Sequence, residues 1–334
     1  MTVIDYNDLT IALCEYKINI FRYDAYVRSI VFKHLDSAQK ELIARIINDD
    51  ITDITKRDLD ILVHDIKGII TDEYERIVAY LNDTNQQFYI ASHKIESNIY
   101  NSWLGYKAFS SLPNYKLESI KYAPLFDGRD IRDWWEKQSS DLQFKIETII
   151  RNGNVIGDSQ YNISKDVRNQ IRISKIHADT LVRTANAAIA NDAQEKLIEY
   201  NSDLVEAKQH LSTLDSRTTD VCKARDLKQW TLDNKPIGHK MQYRKPPLHY
   251  RCRSIIRMIL KNSVASTRSS QFGQVNDNVD YSAWLKQRAN EYQDRVLGIQ
   301  RAKWFREGKL TIEQMLDQSD RPLTLKQLKN LYDL

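Results

Sequence analysis

Glycine and proline are scarce in this chain, nine and six among 334 residues. Both residues interrupt helices, so their scarcity argues against a turn-rich, many-stranded fold and predicts a mostly helical protein. Cysteine is scarcer still, at three. An odd number that small excludes a disulfide framework and points to a reducing compartment. No stretch approaches the roughly 20 apolar residues that a membrane span needs. The opening MTVIDYNDLTIALCEYK has no basic region ahead of an apolar run, so no secretory signal is expected. Glycine-rich phosphate loops are absent, which removes the nucleotide-binding classes built on them.

What the chain does have is charge, unevenly spread. The net value of +4 conceals an acidic beginning and a basic later region. Residues 1–110 carry 12 Lys and Arg against 17 Asp and Glu, whereas residues 217–261 carry 12 against 3. A basic concentration of that kind can attract nucleic acid or an acidic protein surface, or can be a solvated face.

The apolar pattern is helical through most of the chain. Leu9, Leu13, Tyr16, Ile20, Tyr23 and Val27 recur at three- and four-residue steps. Asp49-Asp50 and the following TDIT interrupt the pattern, and Thr55 with Asp58 reads as a capping box into Leu59, Leu62 and Ile66. A further segment from about Asp72 places Ile77, Leu81, Phe88, Ile95 and Ile99 on one side. The expected class is α+β, predominantly α-helical, with an N-terminal helical bundle and a later domain containing a small sheet. The expected divisions are a helical region over 1–110, a connection over 111–135 and an α+β core over 136–260, followed by a flexible loop over 261–280 and a helical tail over 281–334. Within the α+β core, Ser254 to Leu260 reads as a buried strand, with Arg251, Arg253 and Arg257 alternating onto one face.

The chemistry-bearing residues gather between Leu214 and Ser254. Cys222, His249 and Cys252 are soft metal ligands, and Asp226 or His239 could complete a zinc set of four. Two buried thiols and a satisfied histidine are the plainer alternative, and a Cys222–Cys252 disulfide requires oxidising conditions. Cys222, His249 and Asp226 could also be read as nucleophile, base and orienter, although nothing local supports that geometry. A zinc nuclease would want an Asp-His pair and paired cysteine knuckles, and neither is present. Arg244, Lys245, Arg251, Arg253 and Arg257 are the candidates for contact with DNA or an acidic partner.

The ordered segments LDSRTTDVC, then Asp226, then PPLHYRCRS resemble the phage Mu protein F-like minor head proteins, a family of phage head morphogenesis. Upstream, LVRTANAAIANDAQEKLIEY is similar to the family's Arg-Thr helix. Downstream, Leu297-Gly298, Arg301, Phe305, Gly308-Lys309-Leu310 and Thr324-Leu325 are similar to its tail. The resemblance carries over Arg183, Thr184, Asp215, Arg217, Thr218, Cys222, Asp226, Pro247, His249, Cys252 and Arg253 as motif positions. The chain departs from the pattern where Thr219 replaces a cysteine, where Leu227 replaces the glycine of an Asp-Gly pair, and where Ser254 replaces the last cysteine. Membership would imply a non-enzymatic virion component at the portal vertex or capsid interior, made in the host cytoplasm. Its partners would be the portal protein and the major capsid protein, with packaged double-stranded DNA as a further candidate, in assembly, packaging or ejection. A zinc-dependent nucleic-acid-binding or nuclease protein packaged with the genome is the alternative. No cofactor is expected, with zinc the one candidate.

Overall fold

The computed structural model describes residues 6–48, 54–119, 125–126, 128–261 and 267–334. It is predominantly helical with small antiparallel sheets, the expected α+β class. By contact the chain divides into two compact units that do not follow sequence order. One comprises residues 18–90 and 118–189; the other comprises 1–17, 91–117 and 190–334.

The first unit is built from four helices: α1 (Tyr6–Asn48), α2 (Lys56–Leu104), α4 (Ile131–Ile156) and α5 (Gln160–Tyr200), each of which except α4 also extends into the other unit. Its core takes Val27, Val31, Leu35, Leu42 and Ile46 from α1 and Leu62, Ile66, Ile70 and Ile77 from α2. Trp135, Leu142, Ile146 and Ile150 of α4 and Ile163, Val167 and Ile171 of α5 complete it. Steps of three and four place each set on one helix face, so burial of that face stabilises all four helices together. The N-cap half of the expected Thr55 capping box forms: the Asp58 amide donates to Thr55 Oγ1 at 3.2 Å, and the Asp58 carboxylate accepts the Thr55 hydroxyl at 2.6 Å. The break expected at Asp49-Asp50 lies outside the described residues, between α1 and α2.

The connection expected over 111–135 contains the short helix α3 (Asn114–Ser119) and a two-stranded hairpin, β1 (Leu125–Phe126) with β2 (Arg129–Asp130). Asp130 then caps α4 by accepting the Arg132 amide at 2.9 Å, so α4 begins earlier than the composition suggests. Gly157 ends α4 in the left-handed conformation, φ 66°. Gly153 has a different reason to be glycine, because a Cβ there would stand 2.6 Å from Ile163 Cδ1.

The second unit holds a four-stranded sheet in the order β5-β4-β3-β6, antiparallel throughout: β3 (Val205–Leu211), β4 (Gln229–Trp230), β5 (Pro236–Ile237) and β6 (Ile255–Leu260). Two apolar clusters serve it. One joins Leu9, Leu13, Tyr100, Phe109, Leu197 and Ile198 to Ile256, Met258 and Leu260 of β6. The other joins Leu214 and Ala224 to the C-terminal helices α7 (Tyr281–Lys286), α8 (Asn290–Leu297), α9 (Ile299–Arg306) and α10 (Leu325–Tyr332), through Trp284, Trp304, Phe305 and Leu328.

Two expectations need correction. The apolar stripe of α2 does not continue through Ile95, which is exposed; the buried side there is Ser92, His93, Glu96, Ser97 and Tyr100. Within that polar side His93 is fully hydrogen-bonded. The His93 Nδ1–H donates to the Ala193 carbonyl at 3.1 Å, while Nε2 accepts the Leu112 amide at 3.0 Å. The second correction concerns the stretch read as a flexible loop over 261–280. It contains a hairpin of β7 (Thr267–Ser270) with β8 (Gly273–Asn276), and Arg268 and Asp277 are buried in it. Residues 262–266 lie outside the description. Serine and asparagine content suggested mobility, but two charged side chains pin the segment through partners far away in sequence.

Candidate functional site

Strand β3 leads into Leu214-Asp215, and the next residues turn tightly about the Asp215 carboxylate. Its Oδ1 accepts the amides of Arg217 at 3.0 Å and Thr218 at 3.1 Å, an Asx-type turn. The Thr218 hydroxyl donates to the Thr213 carbonyl at 2.5 Å, closing the loop from its other side. Arg253 then clamps the same carboxylate with two bonds, 2.6 and 2.8 Å. Burial alone would raise the Asp215 carboxyl, but the Arg253 guanidinium outweighs it and holds the group below its ordinary value. Residues 215–218 are thereby fastened to the segment that carries Cys252.

Helix α6 (Asp220–Arg225) follows and buries Cys222. On the facing segment Arg251 takes φ 58°, in a turn where the Cys252 amide reaches the His249 carbonyl at 3.2 Å. Three soft ligands converge there. The Cys222 sulfur lies 3.8 Å from the Cys252 sulfur and 3.3 Å from His249 Nε2, and the three ligand atoms all fall within 4.8 Å of one another. The His249 Nδ1–H donates to the Tyr250 carbonyl at 2.8 Å, which leaves Nε2 as the nitrogen facing the sulfurs. The Cys222 S–H and His249 pull the Cys252 thiol well below the ordinary thiol range, while Cys222 is pushed up by the same sulfur and by burial. Burial opposes a charge on His249, but its contact with Cys252 carries it above its ordinary value.

The expected fourth ligands are elsewhere. Asp226 is fully buried and bound to Arg268 by bonds of 2.8 and 3.0 Å, and it also accepts the Ser212 amide at 2.8 Å. It is neither a metal ligand nor the orienter of a catalytic histidine. His239 is occupied by the Gln229 carbonyl and the Met241 amide. Beside the Cys222 sulfur stand instead the hydroxyls of Thr219 and Ser254, the two positions where the chain departs from the cysteine pattern. Thr219 is the N-cap of α6, yet its side chain makes no cap hydrogen bond, and its buried Oγ1 is paired with no oxygen or nitrogen. Leu227, in the place of the glycine of Asp-Gly, adopts φ 60°, the left-handed conformation that glycine takes without strain.

The remaining motif residues are structural ties. Arg183 donates to Asp179 at 2.9 Å, and Thr184 is buried with its hydroxyl on the Thr180 carbonyl at 2.8 Å. The arginine face expected along β6 does not exist. Arg257 is buried, with its guanidinium on Gln209 and 2.7 Å from Asp277. Arg253 is held by Asp215, Arg244 by Asp320 at 2.8 Å, and Lys245 by Asp192. The basic concentration of 217–261 is therefore answered by acids from Asp192 to Asp320, so linear charge overstates what is offered to a polyanion. Arg217 is the most exposed arginine of the motif, its side chain 81% accessible.

Several residues that organise the site carried no signal in the sequence. Arg268 sat in a stretch read as loop. Arg225 is buried with 2.7 Å contact to Asp320, a partner 95 residues on. His210 of β3 is fully buried with neither ring nitrogen bonded, and burial lowers it to about 4. Alternation along β3 puts it on the face of exposed Glu206, so the pattern gave no hint of its burial.

Among the described residues, no helix is long and apolar enough to cross a membrane. Neither the comparison with curated proteins nor that with solved structures gave a match. A family model described as phage Mu protein F like protein does match, over residues 144–257. That span runs from within α4 to Arg257 and takes in α5, the Asp215–Arg253 clamp and the Cys-His-Cys cluster. Over this segment, about a third of its length, the chain is similar to the phage Mu protein F-like family.

Proposed function

We propose that this protein is a minor head protein of a tailed bacteriophage, a non-enzymatic component bound at the portal vertex or inner shell. In that role it would act in assembly, DNA packaging or ejection. The observation that carries the reading is the use to which the matched segment puts its polar motif residues. Asp215, Asp226, Arg183 and Arg253 are each held in an intramolecular ion pair, as expected of positions that preserve a fold. The partners we infer are the portal and major capsid proteins. DNA contact receives less support, because Arg244, Lys245, Arg253 and Arg257 are already paired.

The zinc-nuclease alternative is favoured by one observation, the convergence of Cys222, His249 and Cys252. It is weakened by another, since Asp226 is bound to Arg268 and is not available to activate water there. The test is to purify procapsids from infected cells, identify this chain in them by mass spectrometry, and locate it by cryo-microscopy with a tagged copy. Density at the portal vertex in few copies is expected. A chain found only free in the host lysate would overturn the reading. Cleavage of DNA by the purified protein with added zinc or magnesium, lost in Cys222→Ser, would favour the alternative.

A further inference from the structure

We propose that Cys222, Cys252 and His249 bind one zinc ion through two sulfurs and one nitrogen, with an oxygen from the Thr219 side as the fourth donor. This rests on the geometry of this chain's residues and stands whether or not the protein is a head component. Tetrahedral zinc with bonds of about 2.3 Å to sulfur sets its two sulfurs roughly 3.8 Å apart, and a sulfur and an imidazole nitrogen about 3.5 Å apart. The chain holds its sulfurs at 3.8 Å and Cys222 Sγ to His249 Nε2 at 3.3 Å. The imidazole is oriented for ligation as well. Its Nδ1–H is committed to the Tyr250 carbonyl at 2.8 Å, the outer-sphere bond that directs the Nε2 lone pair toward a metal.

Thr219 is the independent observation. It lies three residues before Cys222, the spacing of a two-cysteine zinc knuckle, and its hydroxyl is beside the Cys222 sulfur. That hydroxyl is buried, is paired with no oxygen or nitrogen, and does not cap α6. A buried hydroxyl that faces only a sulfur, a weak hydrogen-bond partner, would be better satisfied by a zinc-bound water or by direct ligation. Two thiolates and one imidazole select a borderline-soft divalent cation such as zinc over magnesium or calcium. Binding displaces the thiol protons to solvent and leaves a neutral three-ligand complex, with no redox step.

The test uses the full chain, purified without chelator, and reads metal content by elemental analysis and cobalt(II) titration by absorption spectroscopy. One zinc per chain is expected, together with the intense visible bands and thiolate charge-transfer absorption of tetrahedral cobalt. Cys222→Ser and Cys252→Ser should lose the charge-transfer absorption, with circular dichroism checking that the helices persist. Thr219→Cys supplies a third sulfur at the place of the oxygen donor. It should strengthen zinc retention against a competing chelator at least tenfold and intensify the charge-transfer absorption. Protein without zinc that gives no cobalt spectrum would overturn the site, as would recovery of Cys222 and Cys252 as a disulfide by mass spectrometry. Unchanged zinc retention in Thr219→Cys would overturn the assignment of the fourth position.

Discussion

The buried pair of Asp226 and Arg268 offers the sharpest quantitative test of how this fold is held. Their side chains are 0% and 2% accessible, and the guanidinium also reaches the Ser212 carbonyl at 2.5 Å. Asp226→Ala removes the carboxylate and leaves a buried guanidinium that cannot shed its proton, together with an unpaired Ser212 amide. Removing one partner of such a pair costs about 3–5 kcal/mol. Arg268→Met strands the carboxylate instead, and a carboxylate has an escape. Burial already pushes the Asp226 carboxyl above its ordinary value, despite the opposing guanidinium, so without Arg268 it can take up a proton. The cost of Arg268→Met should therefore grow as pH rises above the ordinary carboxylate range, while that of Asp226→Ala, which removes the titrating group, should shrink there. Replacing both, as Asp226→Ala with Arg268→Met, removes both charges and should cost far less than the two singles summed. Urea unfolding of the four variants closes the cycle, and hydrogen exchange at the Ser212 amide reads the local bond. A loss below about 1 kcal/mol in Asp226→Ala, or a double mutant whose cost equals the sum, would refute the assignment of this pair as a buried fastening.

His210 should make the protein acid-sensitive. Burial holds it near 4 against an ordinary 6.5, so the folded state stays neutral while the unfolded state takes a proton. Cys252 opposes that shift, and Arg225, Arg268 and His249 reinforce it. Stability is complete above about pH 6.5 and falls by about 1.4 kcal/mol per unit down toward pH 4, and His210→Leu should flatten the slope in urea melts at stepped pH. Leu227→Gly should stabilise by up to about 1 kcal/mol in thermal melts, because glycine occupies φ 60° without the Cβ clash. Gly153→Ala should destabilise by roughly 1–3 kcal/mol despite alanine's better helix propensity, because of the approach to Ile163; a stabilised variant would show that this contact yields. Arg257→Met should cost about 3–5 kcal/mol by stranding buried Asp277. At equal folded fraction, its retention on a DNA column should match that of the parent chain.

How much of this was legible beforehand differs by residue. The stripe through Leu9, Leu13, Ile20 and Val27 is buried as the periodicity demands, because a helix face repeats on the scale of a few residues. The Thr55 cap and the strand through Ile256 and Met258 were legible for the same reason. Cys222, His249 and Cys252 could be paired on paper from ligand chemistry alone. Their meeting could not be assured, because it depends on the Asp215–Arg253 clamp across 38 residues. Polar burial defeated the pattern reading at Ser92, His93 and Glu96, where His93 finds hydrogen-bond partners distant in sequence.

The helical class, the small sheet, the family resemblance and the three soft ligands are all written in local spacing, composition or ordered motifs, so the linear chain suffices for them. The fate of the charges is not written there. Arg257 and Arg268 are buried because Asp277 and Asp226 meet them, and an ion pair between residues 20 or 42 positions apart leaves no trace in a local window. Folding in three dimensions likewise makes Asp226 brace Ser212 and Arg268 instead of ligating a metal, and brings the Thr219 hydroxyl to the Cys222 sulfur. Which groups share a buried space depends on the whole fold, and the low dielectric of that space sets what each of them can do.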